Sequence, residues 1–75
     1  MMYRIEARRA DPSTEEGSAF AVFIGSNTSE RRRDAVGAVR MFHGAGYWVE
    51  IFDDETRELL AGPFDPDLPL PSFIF

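Results

Sequence analysis

Between Ala19 and Asp53 the spacing of apolar residues changes twice, and this change constrains the fold more than any other feature of the chain. Ala19 to Gly25 is an almost unbroken apolar run, with Phe20, Val22 and Ile24 on one face and Ala19, Ala21 and Phe23 on the other. It reads as a strand buried on both faces, the pattern of a central position in a sheet. From Thr28 to Ala45 the period becomes helical. Ala35, Val39, Phe42 and Gly46 share one stripe, Val36 and His43 lie at its margin, and Arg33, Asp34, Gly37 and Arg40 fall opposite. Asn27 has the chemistry of an N-cap, and Glu30 three residues later completes a capping box. Gly44 and Gly46 supply the geometry that ends helices. From Tyr47 to Asp53 the period returns to two, with Tyr47, Val49 and Ile51 on the core face and Trp48, Glu50 and Phe52 on the other.

The flanking segments add strands. Met2 to Arg9 alternates, with Tyr3, Ile5 and Ala7 on one side and Arg4, Glu6 and Arg8 on the other, as in a strand with one wet face or a guarded edge. Ala10 to Ser18 is a loop opened by Asp11-Pro12-Ser13. After a turn at Asp53 to Thr56, Arg57 to Ala61 returns as a strand that Gly62-Pro63 stops. Four of the five prolines fall between Pro63 and Pro71, so the last stretch reads as extended.

These elements specify an α+β, two-layer ββαββ sandwich, with one helix packed on a small mixed or antiparallel sheet. Residues 1–63 form the domain, and 64–75 form an extended Pro-rich C-terminal tail that docks on the domain or on a partner. Short joints on both sides of the helix place the second and third strands in the same direction. At 75 residues the core is thin. One Trp, two Tyr and seven Phe are an efficient way to fill it, and more rings than one helix can cover. Self-association as a homodimer, through the tail or an edge strand, is therefore expected.

The chain has no cysteine, which removes disulfides and thiolate metal sites and suits the cytoplasm. No apolar run is long enough to span a membrane. All eight basic residues are arginine, which fits a GC-rich bacterial genome. The net charge of −5 disfavours general affinity for nucleic acid or anionic lipid.

Chemical groupings are sparse. His43 stands alone at a helix end, where it can bond the last carbonyls. Asp53, Asp54, Glu55 and Glu58 lack the register of a calcium loop and read as a solvated turn. The glycines match no phosphate-binding fingerprint, and no lysine is present for a Walker-type loop. No catalytic, metal or cofactor site is assigned. Arg31, Arg32 and Arg33 could contact an anion or nucleic acid, although three consecutive helical positions fan over roughly 200°. Trp48 and Phe52 could form an interaction surface with Leu70, Phe73 and Phe75, or be covered by Leu68, Leu70 and Phe73 as the tail folds back.

Two resemblances can be placed on specific residues. Val22 to Ser26, followed by a helix and then Gly46-Tyr47-x-Val49, resembles one half of the peptidoglycan-binding sporulation-related repeat, a family that carries two such halves. The opening strand, loop and Gly17-Ser18-Ala19-Phe20 strand resemble small antitoxin domains of bacterial toxin–antitoxin pairs, whose loop pattern after the second strand this chain lacks. No family is assigned on either. The expected function is a non-enzymatic protein-interaction module. The alternative is a small nucleic-acid-associated regulator that uses an arginine and aromatic surface.

Overall fold

Tyr3–Arg8 form the first strand, β1, and both of its edges are paired. The computed structural model describes residues 1–14 and 23–74. Within them the elements run β1, β2 (Phe23–Ser29), the helix α1 (Arg32–Gly44), β3 (Trp48–Asp53) and β4 (Leu59–Phe64). The sheet order is β2-β1-β3-β4, and every neighbouring pair is antiparallel. Both β2 and β3 oppose β1, so they run in the same direction, as the short joints to the helix require. The crossover through α1 passes over β1.

This order corrects two expectations. The second strand lies at the edge, and β1, whose charged face allows an exposed sheet surface or a guarded edge, lies inside with that face half-exposed. The reason is visible in the residues that pair. The described part of β2 starts at Phe23 and runs on through Gly25-Ser26-Asn27-Thr28-Ser29, a polar sequence suited to an edge. The apolar residues Ala19 to Val22 lie outside the described residues, as do Glu15 to Ser18 of the loop. The register of β1 against β3 is unbroken from Tyr3 opposite Asp53 to Arg8 opposite Trp48.

α1 begins later than the capping pattern implies. The backbone of Asn27 pairs with Ile5 in the β1–β2 ladder, which continues to Ser29. The N-cap is Arg31, without a side-chain cap. The Ser29 hydroxyl turns the chain instead, accepting from the Arg31 N–H at 3.1 Å and donating to the Arg31 carbonyl at 3.0 Å. The C-terminus follows expectation at one glycine. Gly46, at φ 94°, donates to the His43 carbonyl at 3.0 Å, and Tyr47 donates to the Phe42 carbonyl at 3.2 Å. These are the two bonds of a Schellman motif. Gly44 is an ordinary helical residue and the motif does not need it.

The core lies between α1 and the sheet. Ile5, Ala7, Ala35, Val39, Val49 and Ile51 are fully buried, and Ala38 nearly so. Alternation along β1 and β3 puts Ile5, Ala7, Val49 and Ile51 on the helix side. Tyr3, Phe42, Leu60, Ala61, Phe64, Leu70 and Ile74 pack around them.

β4 continues through Gly62-Pro63, a cis peptide, to Phe64, and does not stop there. Proline is tolerated because β4 is an edge strand. Two register shifts along β3 realign the strand around it.

The β3–β4 turn is held by Asp53. Its Oδ1 accepts from the Glu55 N–H at 2.9 Å and the Thr56 N–H at 3.3 Å. Arg57 completes the turn at φ 66°, a left-handed conformation that is costly for a residue with a Cβ. Its side chain is exposed, and among the described residues its ion pair is a long one to Asp54 at 3.8 Å. Replacement of Arg57 by Gly is therefore expected to stabilise the domain by about 0.5–1 kcal/mol, net of the extra chain entropy of glycine. Thermal unfolding followed by circular dichroism checks this, and a fall in Tm would count against the backbone account.

Candidate functional site

The face of α1 turned away from the sheet carries a concavity of about 510 Å³, lined among the described residues by Arg32, Arg33, Val36, Gly37 and Arg40. Helix geometry explains the grouping. Arg33 and Arg40 are seven residues apart, two turns, and so lie on one line about 10.5 Å apart along the axis. Val36 and Gly37 fall between them in height and to either side of that line. Arg32 closes the groove at its N-terminal end. Its guanidinium sits 4.9 Å from the centre of the Phe73 ring, a cation–π distance.

Of the three arginines that the sequence groups together, Arg32 and Arg33 line this groove and Arg31 does not. Arg40 takes the third place. Arg33 and Arg40 form no ion pair among the described residues; the carboxylate partners found there belong to Arg4, Arg8 and Arg57. Three arginines thus lie on one side of α1, with the exposed carboxylate of Asp34 beside them, in a chain whose net charge is −5. The floor is apolar and shallow: Val36 is half-buried, and a Cβ placed on Gly37 would meet nothing within 4 Å.

The other interaction candidates do not converge on one surface. Trp48 and Phe52, both half-buried, stand on the sheet face opposite α1, across from Arg8 and Arg4 respectively. Leu70 packs into the helix-side cluster with Ile74, so the tail does not fold over Trp48 and Phe52 through Leu70. Phe73 is 73% exposed and meets Arg32. Phe75 lies outside the described residues.

His43 serves the tail rather than its own helix end. Its Nε2 is 3.1 Å from the Asp65 carbonyl oxygen and 2.7 Å from that of Leu68. Two acceptors at one ring nitrogen require that nitrogen to carry the hydrogen. The carbonyls it holds belong to a turn in which Leu68 donates to Asp65 at 3.2 Å, so the tail bends before it extends. The C-terminal carbonyls of α1 are already taken by Ala45, Gly46 and Tyr47.

A second charged cluster lies on the sheet face away from α1. Arg8 bridges Glu6 at 3.0 Å and Glu50 at 3.4 Å, linking β1 to β3. Glu50 is only 9% exposed. Burial pushes its carboxyl above the usual range, and the hydrogen bond and charge of Arg8 offset this only in part. Nearby, Asp54 bonds Arg4 at 2.7 Å and, first by that hydrogen bond and then by its charge, raises the Arg4 guanidinium above its ordinary value. The acidic cluster at the β3–β4 turn is therefore divided: Asp53 holds backbone, and Asp54 pairs with arginine. Among the described residues no group of three or more His, Cys, Asp or Glu side chains is arranged to hold a metal ion, and no helix is long and apolar enough to cross a membrane.

The signal for Arg40 was present in the sequence, since it shares a helical line with Arg33. No local pattern could bring Phe73 to Arg32 across forty residues of chain. Comparison with known proteins finds no matching family model and no significant match to a curated protein or a solved structure.

Proposed function

We propose that this chain is a small protein-interaction module without catalytic activity of its own, and that the outer face of α1 is its contact surface. The observation that carries the reading is the groove itself, an apolar floor at Val36 and Gly37 with guanidinium groups around it. Protein interfaces have this anatomy, an apolar centre with a polar rim, and arginine is enriched in them. A concavity of this size suits a short peptide segment and a weak or transient complex.

The pairing of Arg32 with Phe73 favours a second reading, in which the same face holds a single-stranded nucleic acid by stacking and charge. The net charge of −5 opposes a long polyanion more than a short acidic peptide. Amide chemical shifts of labelled protein separate the two. Titration with poly-L-glutamate is expected to move resonances of residues 32–40 saturably. A response confined to the Trp48 and Phe52 face, or no response, would refute the proposed surface. Tighter binding of an oligonucleotide, falling steeply with salt, would transfer support to the second reading.

A further inference from the structure

We infer that the groove takes an acidic helical segment of a partner protein, with two carboxylates two turns apart and apolar residues between them. This rests on the interaction-module reading and names the partner's chemistry. Arg33 and Arg40 repeat at the spacing of two helical turns, and a helix lying along α1 presents side chains at the same interval. Helices pack in this near-parallel way at crossing angles of about 20°. Carboxylates of such a partner reach both guanidiniums, and each can form the forked pair that arginine favours.

The floor between the arginines fits the same partner. Val36 is half-buried and offers apolar surface. The space above Gly37, free of any atom within 4 Å of a built Cβ, accommodates an incoming apolar side chain or the partner backbone. An extended peptide places same-face side chains about 6.8 Å apart, which misses the arginine spacing of about 10.5 Å unless side chains are skipped.

The test uses the full chain and synthetic alanine-based helical peptides. The matched peptide carries two glutamates two turns apart with leucines between. The mismatched peptide has the same composition with its glutamates on opposite faces. The matched peptide is expected to bind about tenfold more tightly and to shift resonances of α1. Combined Arg33→Glu and Arg40→Glu, both exposed positions, is expected to abolish that binding, and a lysine version of the matched peptide is expected to restore it. Circular dichroism of the variant confirms that the fold is retained.

Equal binding of both peptides at α1 would overturn the spacing argument and leave the interaction-module reading standing. Binding of neither peptide would overturn the inference, and if poly-L-glutamate also failed, the module reading with it. Oligonucleotide binding at α1 without peptide binding would assign the groove to nucleic acid and overturn both.

Discussion

Replacement of Ile51 by Ala is expected to leave the domain on the edge of unfolding at room temperature. Ile51 is fully buried in β3, an interior strand, opposite Ile5 on β1 and Ala61 on β4. It belongs to the cluster that holds Ala35 and Val39 of α1 against the sheet. Truncation to alanine in such a site costs about 2–5 kcal/mol, because the lost burial is compounded by a cavity that the neighbours fill only in part. A chain of this length has roughly 4–11 kcal/mol of total stability. At about 4–8 °C for each kcal/mol, Tm is expected to fall by at least about 8 °C. Met41→Ala on the exposed side of α1 serves as the control, with a change within about 0.5 kcal/mol. Equal effects at the two positions would show that the core is not where it is described.

The second large effect is expected at Gly62. Its φ is 100°, and a Cβ there would lie 2.6 Å from the Val49 carbonyl oxygen and 3.1 Å from the Glu50 Cα. Both atoms belong to the backbone of β3 and cannot turn aside as a side chain could. Gly62→Ala therefore combines backbone strain with a collision, and the lower entropy of the unfolded alanine chain returns only about 0.4–1 kcal/mol. A net loss of about 2–4 kcal/mol is expected, with β4 released from β3. Hydrogen exchange reads this directly. Amides of Leu59–Phe64 are expected to lose protection well before those of β1, and uniform loss across the sheet would contradict a local collision.

The parts of the fold legible in the sequence are those set by local periodicity. Alternation in Tyr3 to Ala7 identifies the buried face of β1, and the helical stripe identifies Ala35 and Val39. Strand order is not local. The polar residues from Gly25 to Ser29 suit an edge once the strand is known to run through them, but nothing in β1 states that a strand some fifty positions away, where Asp54 meets Arg4, will join its other side. The misplaced helix start has the same origin. Asn27 and Glu30 have the chemistry of a cap, but β1 competes for the backbone of Asn27 and wins, because a ladder through Ser29 satisfies more donors and acceptors than one side-chain cap. Pro63 reads as a stop only if β4 is assumed to need partners on both sides. At the candidate site, Arg32, Arg33 and Arg40 are all visible on a helical projection, whereas the contact of Phe73 with Arg32 depends on how the tail turns at His43.

The interior position of β1 has a consequence for synthesis. The ribosome makes this strand before either neighbour. Its partner β2 follows after a short interval, but β3 requires another two dozen residues, on the order of seconds at common elongation rates. During that time the edge of β1 that will meet β3 has no native partner, and until α1 has been made the apolar side chains of Ile5 and Ala7 have no helix above them. The nascent chain thus carries an open strand edge beside uncovered apolar surface, the combination that favours pairing with a neighbouring chain. The alternating charges of Arg4, Glu6 and Arg8, which later join β1 to β3 and its turn, give that same edge protection while it waits.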